Sequence, residues 1–253
     1  MHTTSPTTLV VIPTYNERDN LPQLTAQVFD ALPNCAILIV DDASPDGTGD
    51  WCKAQNHPQL HLLARQGKAG IGSALLAGLR YANENEYRIV VTMDADFSHS
   101  PEELRELVAP MDEQGGDQHG VDQVADVTIA SRYIAGGSIE GWPLRRIVMS
   151  RLVNWFARWF LGLRVRDCST GFRCYRMATL GPVLHENFYA RGYAFEEEIL
   201  FRLQRRSAHL AEIPSRFVDR DRGGSKLNLG EAVKAGWVLI RLSLGRLWPC
   251  STC

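Results

Sequence analysis

Asp94 and Asp96 stand one residue apart just after the apolar run Ile89-Val90-Val91, and Ser100-Pro101 opens a helix beyond them. A continuous apolar run is what a strand covered on both faces requires. The acidic pair therefore falls at the carboxyl end of a strand, where open α/β sheets place their ligands. Two carboxylates so close repel each other unless a cation joins them. A hard divalent ion with oxygen ligands, Mg²⁺ or Mn²⁺, suits such a pair, and such ions commonly share a substrate diphosphate. Taken alone, the pattern equally suits a strand end followed by a turn residue. Ser100 with Glu103 predicts a capping box, with Pro101 at the first helical position.

Three further loops carry residues able to take part. Pro13-Thr14-Tyr15-Asn16-Glu17 follows the apolar run Leu9–Ile12, and Asp41-Asp42 follows Ala36–Val40. An acidic residue beside a strand end accepts hydrogen bonds from a ribose or a base edge in nucleotide-binding α/β folds. Glu17, Asp41 and Asp42 are candidates for that task, and Tyr15 offers an aromatic face to base or ribose. Arg65 and Lys68, set among Gly67, Gly70 and Gly72, suit contact with phosphate. Singly, each residue has an ordinary reading as turn chemistry or a solvated side chain. Together they describe a pocket for a metal-bound nucleotide diphosphate.

The elements that must position these loops alternate. Strands over 9–12, 36–40, 60–64 and 88–93, with helices after Pro22 and over Ser73–Asn83, predict a mostly parallel sheet flanked by helices. It is Rossmann-like in outline. No GxGxxG follows the first strand, which argues against a dinucleotide dehydrogenase. Asp112–Gln123 reads as an exposed loop and Val124–Ser131 as a returning strand. From Gly141 the character changes: Leu144, Ile147, Val148, Leu152, Trp155, Phe156, Trp159, Phe160 and Leu163 recur at helical spacing, flanked by Arg145, Arg146, Arg151, Arg158 and Arg164. This is the composition of an interfacial amphipathic helix, although periodicity alone favours a core-packing one. Phe195–Leu203 predicts a helix, Ile213–Arg220 a strand and Leu229–Leu247 a final amphipathic helix. The expected organisation is one α/β domain over 1–228 with a helix and tail over 229–253.

Composition narrows the class. Hydrophobic content of 45% and charged content of 22% are those of an ordinary folded protein. A net charge of −2 gives no global sign of a nucleic-acid partner. The arginines concentrate between Arg132 and Arg246, which suggests an anionic partner for the second half. Six cysteines without a paired CxxC framework suit a reducing compartment, and Cys250 with Cys253 makes only a weak metal or redox pair. Met1–Thr8 is short and polar, so no signal peptide is expected. No run approaches the roughly 20 apolar residues of a membrane span. The expectation is a soluble or peripheral protein.

Ile12-Pro-Thr-Tyr-Asn-Glu17, Val40-Asp-Asp-Ala-Ser-Pro-Asp-Gly-Thr48 and Asp94-Ala-Asp-Phe-Ser-His99 resemble glycosyltransferase family 2. Ser131-Arg-Tyr, Gly141-Trp-Pro with Arg146 and Ser150, Ser169-Thr-Gly-Phe-Arg173, Gly192-Tyr-Ala-Phe195 and Arg220 through Gly223 to Ser225-Lys226 narrow it. In that order they are similar to the dolichol- or polyprenol-phosphate mannosyltransferases of that family, from about Leu9 to Arg246. The resemblance implies a GT-A fold and an inverting, Mg²⁺- or Mn²⁺-dependent transfer from GDP-mannose to a polyprenyl or dolichyl phosphate. By position it implies nucleotide contacts from Pro13, Tyr15, Glu17, Asp41, Asp42, Lys68 and Asp94, and a metal site at Asp94, Asp96 and Ser98. Ser98 stands where some members have Gln. Arg132, Arg146, Ser150, Arg220 and Lys226 match acceptor-phosphate positions, and Glu198 matches a helix carboxylate. Asp94, Asp96, Arg132, Arg146 and Ser150 are the residues expected to carry catalysis. A lipid monophosphate is already anionic, so positioning and charge stabilisation are the protein's tasks and no catalytic base is assigned.

A polyprenyl acceptor lies in a bilayer, so the resemblance favours the interfacial reading of Leu144–Leu163 and a peripheral place on the cytoplasmic face of a membrane. A membrane-anchoring partner subunit is a further expectation. Three other readings compete: a family 2 transferase using UDP-glucose or UDP-GlcNAc on the same lipid phosphate, a sugar-nucleotide-binding regulator without turnover, and a polysaccharide-chain transferase with a base among Glu196–Glu198.

Overall fold

The computed structural model describes residues 6–111, 124–219 and 236–244. Its first half is the predicted alternation. The strands β1 (Thr8–Thr14), β2 (Cys35–Asp41), β3 (Leu60–Ala64) and β4 (Ile89–Thr92) are connected through the helices α1 (Leu21–Ala31), α2 (Thr48–Ala54) and α3 (Ile71–Glu84). The four strands are parallel, in the order β3-β2-β1-β4. Buried Leu9–Ile12 and Ala36–Val40 are covered by helices on both faces, which is why they read as unbroken apolar runs. Strand order reverses between β1 and β4, so their carboxyl ends flank the crevice where such sheets bind ligands.

The sheet continues less regularly. After the short helix α4 (Leu104–Val108) come β5 (Val127–Ser131), β6 (Ser138–Glu140), the long helix α5 (Leu144–Leu161), β7 (Arg173–Arg176) and α6 (Met177–Leu184). Then follow α7 (Phe195–Arg205), β8 (Leu210–Pro214) and β9 (Arg216–Val218). β7 runs antiparallel between β4 and β5, and β8 joins the far edge parallel to β5, making a seven-stranded mixed sheet. β6 and β9 pair separately as a parallel two-stranded sheet. Residues 236–244 are helical, and Val238, Leu239 and Leu242 join the core shared by α3, α6 and α7.

Several expectations need correction. The strand foreseen over Ile213–Arg220 is two, β8 and β9, in different sheets, because Ser215 turns the chain and donates its N–H to Ser131. The strand foreseen from Val124 begins at Val127, and α2, β6, β7 and α6 were not foreseen. Ser100 does cap its helix, but it accepts from the Glu102 N–H at 3.3 Å. Glu103 does not reach back to close a box; it accepts from Ser215 Oγ at 2.5 Å and from the Arg216 N–H at 3.0 Å. A tertiary contact has claimed the side chain that the local motif would use. The loop read at Asp112–Gln123 and most of the helix read over Leu229–Leu247 lie outside the described residues. Cys35, Cys52, Cys168 and Cys174 are buried free thiols, and Cys250 with Cys253 lies outside the described part. Among the described residues no helix is long and apolar enough to cross a membrane.

Helix α3 lies close against the sheet because Gly78 faces it. A methyl group there would meet Val11 Cγ1 at 2.3 Å and Val40 Cγ2 at 3.2 Å. On an exposed helix, Gly→Ala gains about 1 kcal/mol; here overpacking of a stiff, buried valine costs about 1–3 kcal/mol. Gly78→Ala should therefore lower the urea midpoint with an unchanged denaturant slope. A raised midpoint would show that the helix–sheet gap has slack.

Candidate active site

Three loops at the crevice are built on left-handed residues other than glycine: Asn16 at φ 62°, Ala43 at φ 55° and Phe97 at φ 59°. Such backbone is uncommon for alanine and phenylalanine and concentrates at functional sites. Side chains hold the loops to one another. Asp41, buried at the end of β2, accepts from Thr14 Oγ1 (3.2 Å), Ser44 Oγ (2.5 Å) and the Ser44 N–H (3.2 Å). Ser44 Oγ in turn accepts from the Asn16 N–H, and Asp46 accepts from the Arg18 N–H. Thr48 Oγ1 takes the Glu17 N–H. Asp41 thus braces the β1 and β2 loops against each other. Asp42 is buried too, and burial raises its pKa despite the opposing charge of Arg65, whose Nη1 lies 2.8 Å away in an ion contact too oblique for a hydrogen bond.

The glycine loop closes over the same edge. Arg65 Nη2 donates to Ser73 Oγ at 2.7 Å, and Lys68 Nζ lies 4.4 Å from the Tyr15 ring centroid, in cation–π range. Gly70, at φ 96°, has its Cβ position 2.4 Å from the Arg191 carbonyl oxygen, and that oxygen accepts from the Ser73 N–H. No other residue fits there. Tyr15, Glu17, Asp41, Asp42 and Lys68 are therefore brought to one edge, with Pro13 in β1 at its root.

Across the crevice, Asp94, Asp96 and Ser98 follow β4. Met93 donates its N–H to Val11 of β1. Asp96 Oδ1 accepts the Ser98 N–H at 3.1 Å, and the Ser98 side chain is buried. Asp94 Oδ1 faces Gly171: a Cβ built there would lie 3.9 Å from it and 3.4 Å from Glu196 Oε1. Thr92 Oγ1 donates to the Gly171 carbonyl at 2.7 Å, which fastens the acidic strand to the Ser169–Arg173 segment. Among the described residues no three His, Cys, Asp or Glu side chains gather as a metal cage. Two carboxylates fit Mg²⁺ or Mn²⁺ all the same, because Mg²⁺ is typically held by one or two carboxylates with waters and substrate phosphates completing the shell.

The second half departs most from expectation. Six of its arginines, read as waiting for an anion, face carboxylates of the chain itself: Arg132–Asp167, Arg146–Asp219, Arg173–Glu196, Arg202 with Glu186 and Glu198, Arg206–Glu186 and Arg216–Glu140. Arg132 is buried at the end of β5; Nε and Nη2 grip Asp167 at 2.7 and 2.8 Å, and Nη2 reaches Ser169 Oγ at 2.9 Å. Burial alone would raise the Asp167 pKa, but the charge and hydrogen bonds of Arg132 hold it below the ordinary value. Arg146 remains nearer solvent. It stacks 4.0 Å from the Trp142 ring centroid and binds Asp219 Oδ1 at 2.8 Å. Ser150 Oγ accepts from Tyr133 Oη at 2.7 Å. Trp142 lies between the two cations, 5.5 Å from the Arg132 guanidinium carbon. Arg220 and Lys226 lie outside the described residues. Glu198, fully buried, accepts from the Tyr189 and Ala190 N–H groups and from Arg202, which makes it a latch on the loop over Gly70. Asp167 and Asp219 were missed by sequence reasoning; the signal that would have found them is that buried or stacked arginines need carboxylates, while Tyr133 stands in its motif without a role.

Helix α5 buries Asn154, Ala157 and Leu161 and packs part-buried Phe156 against the core. Asn154 donates to Ser169 Oγ and accepts the Cys168 N–H at 2.6 Å, docking the helix beside the Arg132–Asp167 pair. Leu144, Met149, Leu152, Trp155 and Trp159 are more than half exposed, so α5 packs on the core by one side and leaves an apolar side outside.

Two buried groups give the site a pH signature. His99 lies between Phe172 and Phe217; Ser215 donates its proton to Glu103, so it accepts from His99 Nδ1, and Nε2 faces Thr170 Oγ1. Burial, helped by Arg132, pushes the His99 pKa down to about 3. Burial raises Glu197 to about 8. The histidine's contribution to stability is complete above its ordinary 6.5 and is lost as pH falls. The glutamate's contribution is complete below its ordinary 4.5 and is lost as pH rises toward 8. Each group alone changes stability by about 1.4 kcal/mol per pH unit inside its window. The melting temperature should therefore plateau between pH 4.5 and 6.5 and fall on both sides. Glu197→Gln should flatten the alkaline fall; an unchanged fall in that variant would remove Glu197 as its source.

The sequence profile of Glycosyl transferase family 2 matches residues 9–181. The polyprenol monophosphomannose synthase of Mycolicibacterium smegmatis is 39% identical over 232 residues, covering 89% of this chain and 84% of that protein. The undecaprenyl-phosphate mannosyltransferase of Micrococcus luteus is 38% identical over 250 residues, 94% of this chain and 98% of that one. Among solved structures, glucosyl-3-phosphoglycerate synthase from Mycobacterium tuberculosis, in complex with Mn²⁺, UDP and glucosyl-3-phosphoglycerate, superposes with a TM-score of 0.64. The overlap spans 96% of this chain and 81% of that one at 19% identity, a likeness of fold. With its crevice loops, acidic pair and mixed sheet in that arrangement, the chain belongs to glycosyltransferase family 2.

Proposed function

We propose that this protein transfers mannose from GDP-mannose to a polyprenyl, dolichyl-type, monophosphate with inversion, giving polyprenyl phosphate β-mannose. The observation that carries this reading is the near full-length likeness to two enzymes named for mannose and polyprenyl phosphates. The crevice has the parts the reaction needs. Tyr15, Glu17, Asp41, Asp42 and Lys68 line the donor nucleotide, with Pro13 shaping the loop. Asp94 and Asp96, with Ser98 beside them, would hold Mg²⁺ or Mn²⁺, which supplies charge neutralisation for a leaving diphosphate. Arg146 and Ser150, with Arg220 and Lys226, receive the acceptor phosphate. Arg132, gripped by Asp167, acts from behind as a fixed positive charge.

The acceptor phosphate oxygen forms a bond to the anomeric carbon on the face opposite the diphosphate, the carbon–oxygen bond to GDP breaks, and an α-linked donor becomes a β-linked product. The nucleophile is anionic at neutral pH, so no proton must be removed. Glu196 faces Arg173 and Glu198 binds Arg202, uses that leave neither carboxylate placed as a base. Residues 1–228 form the catalytic unit, and 229–253 are an addition to it. Asp96→Ala should abolish metal-dependent transfer of label into the lipid phase, and wild type should accept GDP-mannose over UDP-glucose and UDP-GlcNAc. Transfer from a UDP-sugar instead would keep the acceptor and overturn the donor; full activity of Asp96→Ala would overturn the metal site.

The exposed face of α5 bears Leu144, Leu152, Trp155 and Trp159 with Arg145, Arg151 and Arg158, and no acidic residue. Such a face suits the interface of an anionic bilayer, which supports the reading of a peripheral protein; the cytoplasmic side of a membrane is part of the proposal. Trp155→Glu/Trp159→Glu should reduce co-flotation with anionic vesicles at least tenfold with the far-ultraviolet circular dichroism unchanged. Equal flotation would reassign the face to a membrane-anchored partner subunit.

A further inference from the structure

Arg146 is held on one face and at one edge of its guanidinium plane. Its charge stacks 4.0 Å from the Trp142 ring centroid, and Nη1 donates to Asp219 Oδ1 at 2.8 Å. Both partners are about a quarter exposed, 27% and 26%, and ion pairs that exposed add little to folding stability. Asp219 is itself fixed. Its N–H donates to the Glu140 carbonyl at 3.0 Å, and the N–H of the preceding Val218 donates to the Ser98 carbonyl at 3.0 Å. Gly141, at φ 80°, leaves room for it: a Cβ there would lie 3.0 Å from Asp219 Cβ. Trp142 packs edge-on against Phe217 at 5.1 Å, and Phe217 against His99 at 5.0 Å.

We infer that Asp219 is a positioning residue that aims Arg146 at the acceptor phosphate and ties it, through β9, to the Asp94–Ser98 loop. This rests on the proposed assignment of Arg146 to that phosphate. Asp219 engages Nη1 alone; among the described residues the other guanidinium donors make no hydrogen bond, so part of the planar fork is left for a phosphate. A long side chain ordered before the ligand arrives loses less entropy on binding. Two consecutive residues of one strand end thus contact the acidic loop and the acceptor cation, which sets their spacing. An ordinary surface ion pair would share the 2.8 Å contact but would have no effect on ligand binding.

The test is a calorimetric double-mutant cycle with a short-chain isoprenyl monophosphate and, separately, GDP. Asp219→Ala should weaken the isoprenyl phosphate about tenfold and leave GDP unchanged. Asp219→Asn, which keeps an oxygen for Nη1, should recover most of the loss. In an Arg146→Ala background the Asp219→Ala effect should vanish, as it must if one residue acts through the other. Unchanged or tighter phosphate binding by Asp219→Ala, a parallel loss of GDP, or the same loss in the Arg146→Ala background would each overturn the inference. Absence of mannose transfer by the wild type would refute the proposed function alone, since the binding cycle still decides the role of Asp219. Absence of isoprenyl phosphate binding by the wild type would refute both.

Discussion

Two guanidinium groups buried behind the carboxyl edge of the sheet, those of Arg132 and Arg173, constrain much of the molecule's second half. A charge removed from water must be paired and hydrogen-bonded or it destabilises the fold by several kcal/mol, roughly 3–5 when one partner is missing. Arg132 is answered by Asp167 and Ser169, and Arg173 by Glu196 together with the carbonyls of Cys168 and Glu196. Meeting those demands brings the 167–173 segment under β4, draws α7 in with its acidic first turn, and lets Asn154 dock α5 on Ser169. The buried ion pairs are thus a device for placement. They hold the acidic loop and the 167–173 segment in one frame.

The crevice edge formed by the β1 and β2 loops solves the complementary problem. Loops at strand ends carry unpaired backbone groups and, here, left-handed residues that cost free energy. Asp41 and Asp46 offset this by accepting from neighbouring N–H and hydroxyl groups across the β1 and β2 loops. The glycine loop is closed by contact with Arg191 and Phe195, so the edge is rigid where a nucleotide would lie. Glu198 latches the covering loop from inside. Rigidity at this edge and exposure at α5 divide the molecule into a firm crevice and an apolar, basic outer face.

That outer face changes the meaning of one helix. Periodicity alone favoured a core for Leu144–Leu163, although an apolar stripe is the same pattern against protein or lipid. The structure buries one side of the helix: Asn154, Ala157 and Leu161, with part-buried Phe156, dock α5, and Trp155 and Trp159 are left outside, stacked on each other at 5.6 Å. The same lack of uniqueness applies to charge. A string of arginines predicts anions but not whose, and six of these arginines find theirs in the chain's own carboxylates.

What the sequence determined by itself is local. Unbroken apolar runs specified β1, β2 and β4 as doubly covered strands, their polar endings specified the crevice loops, and the ordered motifs specified the family. Burial and strand-end chemistry leave marks that span only a few residues, so these features were legible. The split of 210–218 into two strands, the antiparallel β7, the loss of the Ser100–Glu103 box to Ser215 and Arg216, and the pairing of Arg132 with Asp167 and Arg146 with Asp219 were not. Each depends on partners 35 to 113 residues apart, brought together only by the packed sheet. The reason is physical: a charged or hydrogen-bonding side chain states what it needs, and only the tertiary structure determines which group supplies it.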